Sequence, residues 1–235
     1  MNGAANLTSD SVAHDSRKCF AFFDVDETII SLKSMFDFFP FWCGRKNDQK
    51  LCRRFQAAFA QARAEGLSRE ELNRLYYRFF HGVSLQVLEV AGREWFEDRF
   101  CVSRPPYIEH VVAQLKVHQR SGDIPVFVSG SMLPLLEPLA RALNVEHCLC
   151  TKLQVDTDGR LTGEIDLPQT IGQGKVEAIA SFLQQENGLA QNCFGYGDDI
   201  SDSPMLEAVG NAVAIGDDGE LIALASVRGW KRLPA

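Results

Sequence analysis

Residues 22–28 read Phe-Phe-Asp-Val-Asp-Glu-Thr, so two apolar aromatics run straight into Asp24 and Asp26, with Thr28 two positions further on. Residues two apart on an extended chain point the same way. A carboxylate at the end of a buried strand is costly unless a partner or a metal compensates its charge. With one carboxylate aimed at a substrate and a second alongside, the pair suits an attacking group and a proton donor. A strand that merely turns into a polar loop can look the same, so the remaining segments decide.

Three of them carry matching chemistry. Val126-Phe127-Val128-Ser129-Gly130-Ser131 is an apolar stretch ending in hydroxyls and a glycine. Backbone N–H groups at such a strand-to-helix junction can cradle an anion. Lys175 follows Gly172 and Gly174 at an expected helix start, where the helix dipole disfavours an ammonium unless an anion offsets it. Gly195-Tyr196-Gly197-Asp198-Asp199-Ile200-Ser201-Asp202 ends another apolar stretch with carboxylates four apart. Hard cations such as Mg²⁺ take oxygen ligands of this kind. Singly, each is an ordinary loop or a solvated charge.

Taken in order, the four segments are far more specific. DxDxT at 24–28, the Ser129 strand end, Lys175 and GDxxxD at 197–202 resemble the four motifs of the haloacid dehalogenase (HAD) superfamily of phosphohydrolases. The resemblance runs from about residue 19 to 220. The separation of its first two motifs looks like that of the phosphoserine phosphatase-like subclass, which has a helical C1-type cap inserted there. It implies a Mg²⁺-dependent phosphohydrolase that cleaves a small phosphate monoester through an aspartyl-phosphate. Asp24 is then the nucleophile and Asp26 the acid and base. Asp24, the Asp26 carbonyl and Asp198 hold the metal, with Asp202 acting through a bound water and Asp199 as a competing ligand. Ser129, Gly130 and Lys175 hold the phosphoryl oxygens, and Thr28 fixes the Asp26 loop beside the substrate.

Two positions depart from that pattern. Nine residues after the nucleophile, phosphoserine phosphatases carry a glutamate that receives the substrate amine. Here the position is Lys33, which favours a carboxylate, a second phosphate or a neutral group and speaks against phosphoserine. Ser201 stands where close relatives often have Asn beside the phosphate. A phosphotransferase using the same intermediate, or a non-catalytic phosphometabolite-binding protein, remains an alternative to the hydrolase.

The elements that must position these groups can be read in outline. Strands are expected at Cys19–Asp24, Ile124–Ser129, His147–Thr151 and Asn192–Gly197, with a last one at Ala212–Ile215. A hairpin is expected within Val155–Ile165, turning at Asp158-Gly159. Helices are expected to about Arg120, near Leu133–Leu143, over Lys175–Glu186 and after Ser203. This alternation predicts an α/β fold, a doubly wound parallel sheet with a Rossmann-like core. Residues 34–103 break the alternation and read as a small helical cap, so the core is expected at 19–33 and 104–235. Within the insert, helices are expected over Asn47–Glu65, from Ser68 with Glu71 closing a capping box, and over Ser84–Arg99. Phe36, Phe38, Phe39, Phe41 and Trp42 are expected mainly in the bundle core, with one or two lining the pocket. Arg53, Arg54 and Arg69 are expected at the surface by default, with reach to an anionic substrate as the alternative.

The 235 residues fit one α/β domain plus an insert. A net charge of −7 argues against nucleic acid or an anionic membrane as the main partner and leaves a small phosphorylated metabolite. Seven cysteines without a C-x-x-C motif suggest reduced thiols in a cytoplasmic protein. The first 18 residues lack a signal-peptide core and are expected to form a mobile tail. Whether the protein is a monomer or a homodimer stays open.

Overall fold

The computed structural model describes residues 18–235; the expected tail, apart from Lys18, lies outside them. Strand β1 (Phe20–Phe23) is buried along its whole length. Its residues alternate between two apolar cores. Ala21 and Phe23 face one, with Phe127, Tyr196 and Val213. Phe20 and Phe22 face the other, with Val126, Val128, Ala212 and Ala214. A strand covered on both sides shows no polar alternation, which is why its sequence is apolar throughout.

On one side β1 pairs in parallel with β2 (Ile124–Met132), and on the other with β6 (Phe194–Gly197). Adding β3 (His147–Thr151), β7 (Asn211–Ile215) and β8 (Lys231–Leu233) gives a six-stranded parallel sheet in the order β3-β2-β1-β6-β7-β8. The chain steps outward from β1 to β3, then returns to β6 on the other side of β1. Its direction of travel therefore reverses between β1 and β6. A ligand crevice opens at such a switch point, beyond the carboxyl ends of the strands. Asp24 follows β1 directly and Asp198 follows β6 directly.

Between β1 and β2 the chain forms α1 (Ser34–Arg45), α2 (Gln49–Ala64), α3 (Arg69–Arg78), α4 (Leu85–Phe100) and α5 (Glu109–Ser121). The capping box of α3 forms as expected, with Ser68 Oγ accepting from the Glu71 N–H and Glu71 accepting from the Ser68 N–H. Helix α1 was not delimited by periodicity, because aromatic residues crowd it and Pro40 interrupts it. Its Phe39 stacks on Phe55 of α2 with ring centroids 3.8 Å apart. Phe38, Phe39 and Trp42 are fully buried, whereas Phe36 and Phe41 are half-buried.

The hairpin of β4 (Leu153–Val155) and β5 (Leu161–Ile165) turns with Gly159 at φ +71°. Its backbone bonds to the helical insert: Leu161 donates to Val83 at 2.8 Å, and Leu85 donates to Gly159 at 3.0 Å. Helices α6 (Leu133–Ala142), α7 (Gln173–Glu186) and α8 (Ser203–Glu207) lie between the later strands.

Ala212–Ile215 is not the last strand, because α9 (Gly219–Arg228) and β8 follow it. Asp218 caps α9 by accepting from the Leu221 N–H at 2.7 Å, and Gly229 ends the helix in the left-handed region. Strand β8 has three residues, two of them exposed and basic, and so has too little apolar pattern to announce itself. No helix among the described residues is long and apolar enough to cross a membrane.

Helix α4 packs against the start of α6 at Gly92, where a Cβ would lie 2.0 Å from the Pro134 carbonyl oxygen. Gly92→Ala must push the two helices apart. The expected result is a loss of about 1–3 kcal/mol, read as a lower urea midpoint with an unchanged m value.

Candidate active site

The loop after β1 is folded tightly over the strand end. The Val25 carbonyl accepts from the N–H groups of Thr28, Ile29 and Ile30 at 3.3, 2.9 and 3.1 Å. Glu27 takes φ +61° to allow it, a conformation that costs a residue with a Cβ about 1–2 kcal/mol. The Asp24 N–H donates to the Tyr196 carbonyl at 2.9 Å, which ties the nucleophile candidate to β6.

Asp24, Asp198 and Asp202 offer carboxylate oxygens that all lie within 4.8 Å of one another. Lys175, buried at the start of α7, donates to Asp24 at 2.5 Å and to Asp202 at 2.6 Å. These two carboxylates offset the dipole that disfavours an ammonium at a helix start. Gly197 makes the approach of Asp202 feasible, since a Cβ there would lie 2.7 Å from the Asp202 Cβ. Three carboxylates against one ammonium leave surplus negative charge. Burial pushes Asp24 up; Lys175 opposes the shift, while Asp202 and Asp198 add to it. Burial and then Asp202 push Asp198 up to about 7. Burial works against the Lys175 ammonium, but Asp202 and Asp24 more than offset it, so its pKa is raised. An all-oxygen donor set with excess negative charge fits a hard divalent cation such as Mg²⁺.

Thr28 is fully buried behind this cluster and does not line the cavity. Its hydroxyl donates to Asp198 at 2.9 Å, which ties the loop that carries Asp26 to the carboxylate that follows β6. It orients a candidate metal ligand.

Asp26 lines the cavity from the same loop. Burial pushes its carboxyl up to about 6, against the opposing influence of Ser34 at the first turn of α1. Its Oδ1 has no hydrogen-bond partner among the described residues.

Within the carboxyl-terminal half of β2, Ser129 Oγ accepts from the Ser131 N–H at 3.1 Å. Gly130 lies against Ile171, whose side chain would be 2.7 Å from an added Cβ. The Gly130 carbonyl accepts from Asn73 at 2.9 Å, Tyr77 at 2.7 Å and Thr151 at 3.0 Å. Gln169 donates in turn to Asn73 at 2.8 Å and to the Glu70 carbonyl at 2.9 Å. Asn73, Tyr77 and Gln169 were missed in the sequence. The one available signal was a polar Asn73 on the face of α3 that also carries Tyr76 and Tyr77.

These groups border a cavity of about 240 Å³ that brings together Asp24, Asp26, Lys33, Ser129, Gly130, Lys175, Asp198 and Asp202. Phe36 is the one residue of the expected aromatic run that lines it. Lys33 sits half-exposed at the rim and pairs with Glu27 at 2.9 Å. Arg69 also lines the cavity, and its guanidinium binds Asp199 and the Ser201 hydroxyl. Asp199, the competing ligand candidate, is thereby engaged by an arginine and stands outside the carboxylate cluster. Arg53 and Arg54 are exposed on α2 and do not line the cavity. Arg63, not singled out in the sequence, does line it and lies over the Phe36 ring at 5.5 Å.

A family model described as haloacid dehalogenase-like hydrolase matches residues 21–207. A Mycobacterium tuberculosis protein named "probable phosphatase" is 32% identical over 215 residues, covering 89% of this chain and 73% of its own. A phosphoserine phosphatase of the same organism is 28% identical over 221 residues, covering 90% and 69%. A crystal structure of a Bordetella pertussis protein of unknown function superposes with a TM-score of 0.81 at 26% identity, over 93% of this chain and 99% of that one. A substrate-bound phosphoserine phosphatase shares the fold, with a TM-score of 0.59 at 17% identity over 86% and 87% of the two chains. With its parallel sheet, its acidic cluster at the switch point and these likenesses, the chain belongs to the haloacid dehalogenase-like hydrolases, with the phosphoserine phosphatase-like fold.

Proposed function

We propose that the protein is a Mg²⁺-dependent phosphohydrolase that cleaves a small phosphate monoester through an aspartyl-phosphate, with residues 34–103 serving as its cap. The observation that carries this reading is the convergence of Asp24, Asp198, Asp202 and Lys175 beside a raised Asp26 carboxyl, in one cavity.

In the first step an Asp24 oxygen attacks phosphorus and the ester P–O bond breaks. The electron pair leaves with the bridging oxygen, which takes the Asp26 proton. A carboxyl raised to about 6 holds a useful fraction of its protons near neutrality. In the second step water attacks the same phosphorus, Asp26 takes its proton, and Asp24 departs as the free carboxylate. Ser129, the Gly130 N–H and Lys175 hold the phosphoryl oxygens, where charge gathers. Asp24, the Asp26 carbonyl and Asp198 would hold Mg²⁺, with Asp202 acting through a water; the bound ion neutralises the repulsion between carboxylate and phosphate.

The substrate is a small phosphorylated metabolite whose leaving group is neutral or anionic. Lys33, Arg63 and Arg69 also border the cavity, with Lys33 paired to Glu27 and Arg69 to Asp199. A cationic amine, as on phosphoserine, meets like charge there. A screen of phosphate esters with Mg²⁺ should show turnover of carboxylated or bisphosphorylated esters ahead of aminated ones. Turnover confined to aminated esters would remove the role given to Lys33. Asp24→Asn should keep the fold by circular dichroism and lose turnover; an active variant removes the mechanism.

The raised carboxyls also set a pH dependence. Asp24, Asp26 and Asp198 keep protons in the fold that the unfolded chain has already released. The metal-free protein should therefore lose stability as pH rises from about 4 through about 7. Mg²⁺ binds the ionised cluster, so its increment in melting temperature should be larger at pH 8 than at pH 5. Equal melting curves with and without millimolar Mg²⁺ at pH 8 count against the metal site.

A further inference from the structure

A backbone carbonyl has two lone pairs. The Gly130 carbonyl receives three side-chain donors: Asn73 at 2.9 Å, Tyr77 at 2.7 Å and Thr151 at 3.0 Å. Strand pairing leaves it available, because the register between β2 and β3 shifts between Ser129 and Met132. Asn73 and Tyr77 are buried and reach it from α3 in the helical insert. The Asn73 amide is oriented from its far side. Gln169 Nε2 donates both to the Glu70 carbonyl at 2.9 Å and to Asn73 Oδ1 at 2.8 Å. With its oxygen engaged there, Asn73 turns its NH₂ to Gly130.

The Gly130 C=O and the Ser131 N–H are two ends of one planar peptide unit. Holding the first therefore orients the second, and the Ser131 N–H donates to Ser129 Oγ at 3.1 Å. The Ser131 side chain is anchored as well, with its hydroxyl 2.9 Å from Ser34 Oγ. Ser129 is buried in the cavity wall. Its oxygen already accepts from Ser131, and its own O–H has no acceptor among the described residues. A buried hydroxyl in that state suits a ligand oxygen that takes the remaining proton. Hydrogen bonds that run head to tail polarise one another, by about 10–30% per bond. A side-chain donor on Gly130, the Ser131 N–H and the Ser129 hydroxyl form such a run.

We propose that Asn73 and Tyr77 are positioning residues for the reaction, which act through the Gly130–Ser131 peptide to aim the Ser129 proton at a phosphoryl oxygen. The inference rests on the hydrolase reading above. Neither side chain has to touch the substrate, and no proton changes owner along the run. As the ester P–O bond breaks, charge gathers on the phosphoryl oxygens, and a donor already fixed in direction gains most at that moment. The helical insert thereby contributes to the chemistry from behind the phosphate-facing hydroxyl as well as to the outline of the pocket.

The test is a double-mutant cycle on the full-length chain with Mg²⁺ and the fastest ester of the screen above. It compares wild type, Tyr77→Phe, Ser129→Ala and the double variant. Asn73→Ser runs through a second cycle and should behave alike, so it decides the matter if Tyr77→Phe does not fold. Tyr77→Phe removes one of three donors and leaves no buried donor unpaired. It should lower kcat/KM about 3- to 10-fold, the worth of one hydrogen bond, and Ser129→Ala should lower it about 100-fold. The double variant should match Ser129→Ala, because with the hydroxyl gone nothing is left to aim. The rise in melting temperature on adding Mg²⁺ should be the same in Tyr77→Phe as in wild type. Losses that multiply in the double variant, or a Mg²⁺ increment that shrinks, mean that α3 only fastens the fold or acts through the metal, and overturn the inference. Tyr77→Phe or Ser129→Ala as active as wild type overturns it too. Each of these outcomes leaves the hydrolase reading standing. Wild type that hydrolyses no ester of the screen, or Asp24→Asn that is as active as wild type, overturns the hydrolase reading and this inference together.

Discussion

Three carboxylates held around a single buried ammonium are the constraint on which this molecule turns. Asp24, Asp198 and Asp202 come from two strand ends and a short turn, and Lys175 from a helix more than a hundred residues beyond the first of them. Burying this set is unfavourable unless the charges meet, so the sheet has to bring the ends of β1 and β6 side by side. The reversal of strand order between β1 and β6 does so. Much else serves that approach. Gly197 clears space for Asp202, and Thr28 spends its only side-chain donor on Asp198.

The residual imbalance is what makes the cluster useful. A perfectly neutralised set would have no affinity for a cation and no reason to receive one. Here the acid groups exceed the lysine, and burial together with their neighbouring carboxylates raises Asp24 and Asp198 above the ordinary carboxylate range. Asp26 stands apart from the cluster; it lines the cavity, and its enclosed Oδ1 has no hydrogen-bond partner among the described residues. Its environment differs from that of Asp24 two residues away, and paired carboxylates with different surroundings can take different chemical roles.

The candidate groups Asp24, Ser129 and Asp198 were legible in the chain because each sits at the end of an apolar run, and parallel strands all deliver their ends to one side; Lys175 was legible from its glycines at a helix start. For Thr28, motif position says that a hydroxyl is near the site but not which neighbour it serves. Asn73, Tyr77 and Gln169 were invisible for a different reason. Their bonds join residues 53 to 99 positions apart in sequence, and local pattern carries no trace of them. The hairpin was legible from Asp158-Gly159, but its attachment to residues 83–85 was not, because backbone groups of any residue can make such bonds. Helix α1 and strand β8 escaped delimitation at opposite extremes, one too uniformly aromatic for a period to stand out and the other too short and too charged.

The Gly130 carbonyl has a mechanical consequence. Two of its three donors, Asn73 and Tyr77, belong to α3, and only Thr151 belongs to the sheet. A displacement of α3 would remove both of those donors at once and leave Thr151 as the one remaining side-chain donor to Gly130 among the described residues. The position of α3 and the path of the β2 backbone beyond Ser129 are thereby one mechanical variable rather than two.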